Sequence, residues 1–464
     1  MGIMHLSSLN AVSQSNNTCV FASDLNFKEL WTCGKIVIPE NHSNPKGRKI
    51  SIAYIIIKSK NEASDYPLIH LTGGPGGRTL TNTQIQRFVN SPFREHRDII
   101  LFDQRGIGFS SALSNISEQL FQILAKNLNE QEELKAMSGL LNTAKAKIES
   151  EGATLSNYNT FQNAQDVGVI MESLGYEKYN IMGGSYGTTL GRLVQDFYPD
   201  KLHSAIYNAP SPIDIDFLTS RLQSYKLALE RIFDWCNNDT NCNTVNPNLK
   251  STYTEVIKTL KTTSIEIPID ENSFFINAQD AEYLIRRVLY ANNSRRLVPA
   301  VINAFKAKNL DILRNIIQLE QRIMNDMNMS MFLAVSSYEQ VESDVNLNNV
   351  DHLYDTLGIF PARLGFFDAL YRSGRNWHGK KISSTDQLYK SSKVPTLITV
   401  NYYDPVTPPE NGYLFMKTLS NGQLLVLDEG GHGSISNPDC RDNVFKAFMK
   451  NPKAKLDTSC LNIK

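Results

Sequence analysis

Neither sign of charge is in excess in this chain: 47 Lys and Arg are matched by 47 Asp and Glu. Without a basic stripe there is no electrostatic footprint for nucleic acid, and no nucleic-acid partner is expected. Long apolar runs are missing as well. The densest, such as Ile52–Ile57, are strand-sized and well short of the roughly 20 residues that span a bilayer, so no membrane span is expected. No internal repeat and no low-complexity tract interrupts the sequence. Cysteine is scarce, and its C-x-x-C spacing with nearby histidines, which a zinc site would want, is lacking. The start of the chain, Met1–Leu9, has neither a basic n-region nor a continuous apolar stretch, so it is no signal peptide as it stands. Leu6 stands where a myristoylation motif needs Ser or Thr.

The six cysteines that are present fall into three local groups: Cys19 with Cys33, Cys236 with Cys242, and Cys440 with Cys460. Buried thiols in a cytosolic enzyme are one reading. Three local disulfides in an oxidising compartment are the other, and the grouping favours it, because contacts close in sequence cost less chain entropy to form. A secreted or periplasmic location is therefore expected, with a leader removed from the natural chain.

At 464 residues the chain exceeds one ordinary domain, and its 41% hydrophobic and 20% charged residues are those of a globular protein. From Lys35 to about Pro210, short apolar runs alternate with helical patterns, as in βαβ units with a largely parallel sheet. Ile50–Ile57, Leu68–Leu71, Asp98–Phe102, Tyr179–Met182 and Ser204–Tyr207 read as strands. Thr160–Leu174 and Thr188–Tyr198 read as helices. Between Ser211 and Leu388 the strand signal nearly disappears in favour of helices such as Phe217–Trp235, Asp280–Tyr290, Leu297–Ala307 and Leu310–Met324. Lys393–Val400 and Gly422–Leu427 return to strand character. The expected architecture is an α/β-hydrolase fold: a doubly wound, mostly parallel sheet over 25–210 and 389–464, with a mainly helical cap inserted at 211–388.

Within this frame Gly183-Gly184-Ser185-Tyr186-Gly187 matches the G-x-S-x-G nucleophile elbow, following an apolar strand and opening a helix. Ser185 is the expected nucleophile. The late Gly430-Gly431-His432-Gly433 supplies a histidine flanked by glycines after a strand, and His432 is the expected base. Asp404, just beyond the strand ending at Val400, is the best placed acid to hold the imidazole tautomer. Asp428 and Glu429 are rivals, being near His432 in sequence. An oxyanion site needs two backbone N–H groups. One falls to Tyr186, and the other to the Gly73–Gly77 loop.

Taken together these motifs resemble the prolyl aminopeptidase and secreted tripeptidyl aminopeptidase family of serine exopeptidases. Gly73-Gly74-Pro75-Gly76 is similar to that family's H-G-G-P-G loop, Asp103–Ser110 to its D-Q-R-G-x-G-x-S, and Gly183–Gly187 to its G-G-S-Y/W-G. The three cysteine pairs look like the secreted tripeptidyl branch. The resemblance implies a second oxyanion donor at Gly74 and a cap carboxylate that reads the substrate's free N-terminus. Met331–Glu339 resembles the branch's cap segment, which makes Glu339 the candidate for that carboxylate beside the plainer reading of a solvated glutamate. Two positions depart from the pattern: Ser337 replaces a cysteine, and Thr72 replaces the histidine heading the loop, with His70 two residues earlier. The implied activity is an aminopeptidase acting on peptide substrates through an acyl-enzyme on Ser185, with a carboxylesterase or small-amide hydrolase of the same fold as the alternative. No metal or organic cofactor is expected.

Overall fold

A computed structural model describes residues 19, 30–269, 271–339, 344–356, 365–383, 385–386, 388–433 and 437–464. Ten strands are present among them: β1 (Trp31–Pro39), β2 (Lys49–Ile57), β3 (Leu68–Leu71), β4 (Ile99–Phe102), β5 (Tyr179–Gly184), β6 (Leu202–Asn208), β7 (Ile265–Ile269), β8 (Asn272–Ile276), β9 (Thr396–Asn401) and β10 (Gly422–Leu427). Eight form one sheet in the order β1-β2-β4-β3-β5-β6-β9-β10. From β4 to β10 every pairing is parallel, while β2 runs antiparallel to both β1 and β4. This is the expected α/β-hydrolase fold.

The period-2 alternation of a strand explains why the sheet is buried on both faces. In β2, Ile52, Tyr54 and Ile56 join one apolar cluster with Ile69, Ile100 and Ile181. Their neighbours Ala53, Ile55 and Ile57 join the other, with Leu68, Ile99 and Leu101. A half-exposed sheet would carry polar residues on one of these faces. Here helices must cover both, as a doubly wound topology does.

The long interval between β6 and β9 is filled mainly by helices, including Phe217–Asn238, Ala278–Val288, Ser294–Ala307, Leu310–Asn325 and Met329–Glu339. Two findings go beyond the sequence reading. The antiparallel hairpin β7–β8 sits inside this helical block. And the 21-residue helix Glu130–Ser150, which precedes β5 in the chain, contributes Met137, Leu141 and Ile148 to the apolar cluster of the block rather than to those of the sheet. Its start is fixed by a capping box, with Asn129 and Glu132 satisfying each other's backbone N–H groups. No helix among the described residues is long and apolar enough to cross a membrane. The Met1–Leu9 segment lies outside the described residues.

The cysteines pair locally as Cys19–Cys33, Cys236–Cys242 and Cys440–Cys460. A non-reduced proteolytic digest should yield these three linkages by mass spectrometry. Opening the 20-residue separation of Cys440–Cys460 with paired serines should cost about 3 kcal/mol, and the six-residue separation of Cys236–Cys242 about 2 kcal/mol, in denaturant titrations. Mixed pairings in the digest would overturn the assignment.

Candidate active site

The site is assembled where parallel strands end. Ser185 follows β5 near the middle of the sheet and precedes the helix Tyr186–Phe197. Its backbone is held at φ 54°, a left-handed conformation uncommon for a residue with a side chain. The strain is over-determined by packing. A Cβ on Gly183 would sit 2.3 Å from the Gly187 carbonyl oxygen, and one on Gly187 would sit 2.0 Å from that of Leu71. Neither position has room for a side chain. The Ser185 N–H donates to the Asn208 carbonyl at 2.9 Å, which ties the turn to β6.

His432 lies beyond β10, with its Nε2 2.8 Å from Ser185 Oγ. Its Nδ1 is 2.9 Å from Asp404 Oδ2 and 3.1 Å from Oδ1. Asp404 is fully buried and also accepts from the backbone N–H groups of Val406 and Thr407, both at 2.8 Å, and from the Thr407 hydroxyl at 2.8 Å. Burial pushes its carboxyl upward, but the facing imidazole and the Thr407 donors outweigh that and hold it below its ordinary value. The rival Asp428 faces elsewhere, 3.5 Å from Lys464 Nζ. The three expected residues therefore form one hydrogen-bonded row.

The Gly73–Gly77 loop is held from below. Asp103, fully buried, accepts from the N–H groups of Thr79 (2.8 Å), Leu80 (2.9 Å) and Phe109 (2.9 Å). Gln104 donates to the Thr72 carbonyl at 2.9 Å. Arg105 forms a two-pronged pair with Asp166, at 2.7 and 2.6 Å. The D-Q-R-G run thus acts as a brace for the Gly73–Gly77 loop. Thr72, where the family pattern has histidine, hydrogen-bonds the Thr79 hydroxyl at 2.6 Å. His70 instead packs on Phe88, with ring centres 4.9 Å apart. Burial lowers its imidazole to about 3, so it stays neutral there.

Above the serine is a cavity of about 330 Å³, into which Gly74, Ser185, Tyr186, Glu339 and His432 all face. Tyr186 is the first residue of its helix, so its N–H has no partner within the helix. The Tyr186 hydroxyl meets Thr160 Oγ1 at 2.8 Å and the Asn163 amide at 3.0 Å. Glu339 is no solvated glutamate: it is 1% exposed, and its two oxygens accept from the N–H and hydroxyl of Thr160 at 2.6 Å each. Burial, only partly offset by these donors, raises its carboxyl to about 7. Ser337, in place of the family's cysteine, accepts from the His378 N–H at 3.1 Å.

The helical block is bonded to both loops that serve the serine. The Asn328 N–H donates to the Gly76 carbonyl at 2.8 Å, and the Gly431 N–H to the Ala291 carbonyl at 2.9 Å. A Cβ on Gly431 would lie 1.7 Å from the Leu289 carbonyl oxygen. The Tyr290 ring meets the His432 ring edge-on at 5.0 Å. Thr407, Tyr290 and Glu320, a second cavity carboxylate held by Tyr283 and by Arg287 (2.5 Å), were not evident in the sequence. Only Thr407 has a local cue, a hydroxyl three residues after the acid that can bond back to it. Among the described residues no group of three or more His, Cys, Asp or Glu is placed to hold a metal.

Family models match two stretches, the alpha/beta hydrolase fold over residues 66–262 and a TAP-like protein over residues 367–460. The chain has the α/β-hydrolase fold. Ser185 lies in the first matched stretch, Asp404 and His432 in the second, and Glu339 between them. The tripeptidyl aminopeptidase of Streptomyces coelicolor is 28% identical over 197 residues, 40% of this chain and 36% of that protein. The putative hydrolase YuaR of Escherichia coli is 23% identical over 206 residues, 42% and 38% of the two chains. The serine protease Hip1 of Mycobacterium bovis is 24% identical over 202 residues, again 42% and 38%. The alignment thus spans well under half the length of each relative.

Two outcomes are expected. Asp404→Asn should lower kcat by about 10⁴ with little effect on KM, because an amide presents the wrong tautomer partner to Nδ1. For Glu339 the folded carboxyl titrates near 7 against an ordinary 4.5, so its contribution to stability is full below about 4.5 and is lost as pH rises toward 7. That loss is on the order of 3 kcal/mol. Denaturant melts from pH 4.5 to 8 should show it, and Glu339→Gln should flatten the profile.

Proposed function

We propose that the chain is a serine peptidase that releases residues from a free N-terminus, with Ser185 as nucleophile, His432 as general base and acid, and Asp404 as the orienting acid. The observation that carries the reading is the Ser185–His432–Asp404 row facing a cavity that is also lined by Gly74, Tyr186 and a buried carboxylate. Ser185 Oγ attacks the scissile carbonyl while His432 Nε2 takes its proton. Asp404 stabilises the imidazolium that forms. The N–H groups of Gly74 and Tyr186 receive the developing oxyanion. His432 then gives its proton to the leaving amine, and a water activated by the same nitrogen hydrolyses the acyl-enzyme.

In this reading residues 211–388 are a cap over the core of 25–210 and 389–464, and its Glu339 meets the substrate's α-ammonium. An ammonium in a partly dry cleft needs a counter-charge, and a carboxylate holding two donors keeps lone pairs for more. The tripeptidyl aminopeptidase among the relatives supports an exopeptidase, and the three disulfides support an extracytoplasmic site of action. The carboxylesterase alternative draws support from the cavity walls, where Met324, Met327, Met329, Phe332 and Phe366 are apolar.

Ser185→Ala should abolish turnover with the fold retained. A panel of aminoacyl, dipeptidyl and tripeptidyl chromogenic amides, free and N-blocked, beside simple esters, decides between the readings. Free-amine amides should be preferred, and Glu339→Gln should lose about 10- to 100-fold in kcat/KM on them and much less on blocked ones. A parent that favours blocked amides or esters would overturn the aminopeptidase assignment.

A further inference from the structure

The hydrogen bonds of His432 are made by its two ring nitrogens: Nε2 meets Ser185 Oγ, and Nδ1 meets Asp404 and the Thr407 hydroxyl. Imidazole N–H groups and lone pairs lie in the ring plane. These contacts therefore fix where the nitrogens sit, but they resist little a rocking of the ring about the line that joins them. Packing against the ring must supply that restraint. The loop that carries His432 brings little of it, because the neighbouring Gly430, Gly431 and Gly433 have no side chains.

The restraint comes from the helical block. The Tyr290 ring centre lies 5.0 Å from that of His432, with the two planes at 67°. Aromatic rings favour such an edge-on contact. Tyr290 stands in the turn that closes the helix Ala278–Val288, where its N–H donates to the Arg287 carbonyl at 3.1 Å. Backbone on both sides of Tyr290 pins this turn to the loop of His432. The Ala291 carbonyl accepts from the Gly431 N–H, and the Leu289 carbonyl leaves Gly431 no room for a Cβ. The ring is held in its turn. The Arg287 guanidinium carbon lies 4.4 Å from its centre, and Arg287 Nε bonds Glu320 Oε2 at 2.5 Å. Glu320, Arg287, Tyr290 and His432 thus make a second row, which runs from the helix Leu310–Asn325 to the imidazole.

We propose that Tyr290 is a positioning residue for His432, so that the helical block completes the general base. Its ring keeps the imidazole from rocking while Nε2 takes the proton of Ser185 Oγ, and again while Nε2 returns that proton to the leaving group. A reacting pair displaced by a fraction of an ångström loses much of its rate, which gives a single packing contact its leverage. The inference rests on the acyl-transfer reading above and not on the nature of the acyl group.

The test reads the reactivity of Ser185 apart from substrate binding, through its phosphorylation by diisopropyl fluorophosphate. In that reaction Oγ bonds to phosphorus, fluoride leaves, and the serine proton passes through His432 to solvent. Tyr290→Phe keeps the ring and should react within about threefold of the parent. Tyr290→Leu loses the ring, and both its phosphorylation rate and its kcat on the best substrate of the panel should fall by about 10- to 100-fold. A residue that merely lined the cavity would change KM and leave phosphorylation as it was. An unchanged phosphorylation rate in Tyr290→Leu therefore overturns the inference, whatever happens to KM. Should the leucine variant not fold, Tyr290→Met fills more of the volume without a ring and takes its place. A measurement on the parent needs no such variant: the His432 ring-proton resonances, identified by their loss in His432→Gln, should be sharp and displaced by the Tyr290 ring current. Resonances at ordinary imidazole positions, or broadened by exchange between orientations, also overturn the inference. A parent that does not react with the fluorophosphate, or a Ser185→Ala variant that still does, overturns the acyl-transfer reading instead.

Discussion

Contact between backbones at the end of β5 is the constraint on which everything else depends. Gly187 brings its Cα against the Leu71 carbonyl, and Gly183 meets Gly187, so strand and helix are closer than any side chain allows. That closeness forces Ser185 to φ 54° and presents its hydroxyl clear of the sheet. Every other functional group is placed relative to that one strained residue. The energy that holds it comes from the two-sided burial of the central sheet, as in β2, whose residues Ile52–Ile57 alternate between the two clusters without a break.

The helical block is more than a cover. Its Asn328 N–H donates a hydrogen bond to the Gly73–Gly77 loop, and its Ala291 carbonyl accepts one from the loop that carries His432. It also contributes the Tyr290 ring that flanks His432. Charge on the cavity wall and imidazole at its floor thus belong to one packed unit. Glu339 extends the same logic, since Thr160 links its carboxylate to the hydroxyl of Tyr186, the residue beside Ser185.

Much of this was legible in the sequence, for physical reasons. Strands buried on both faces leave dense apolar runs, and Leu68–Leu71 and Gly422–Leu427 match their observed bounds. The elbow glycines and the late Gly-His-Gly mark places where backbones must approach closely. Less was legible where contacts join distant segments. Met329–Glu339 is buried nearly all round, so it carries no helical period to betray its face. The helix Glu130–Ser150 did offer a spacing, Met137, Leu141, Ala144 and Ile148, and a capping box, but nothing local says which layer it joins. Asp103 could be read as part of a motif, though not as the acceptor of three backbone N–H groups. Arg221 comes from one helix and Arg286 and Arg287 from another, and only folding brings them around Tyr290 and Phe367.

The hydrogen bonds from Asn328 and Ala291 that tie the helical block to the loops around Ser185 and His432 run from main chain to main chain. Both are made by main-chain atoms and so do not depend on which side chains line the cavity, where among the described residues the Tyr290 ring alone meets that of His432. Natural variation can therefore replace methionines, phenylalanines or arginines along that wall and leave the moorings in place. In the proposed reading, substrate range and reaction chemistry are thereby separable traits, and a lineage can change its diet without rebuilding its teeth.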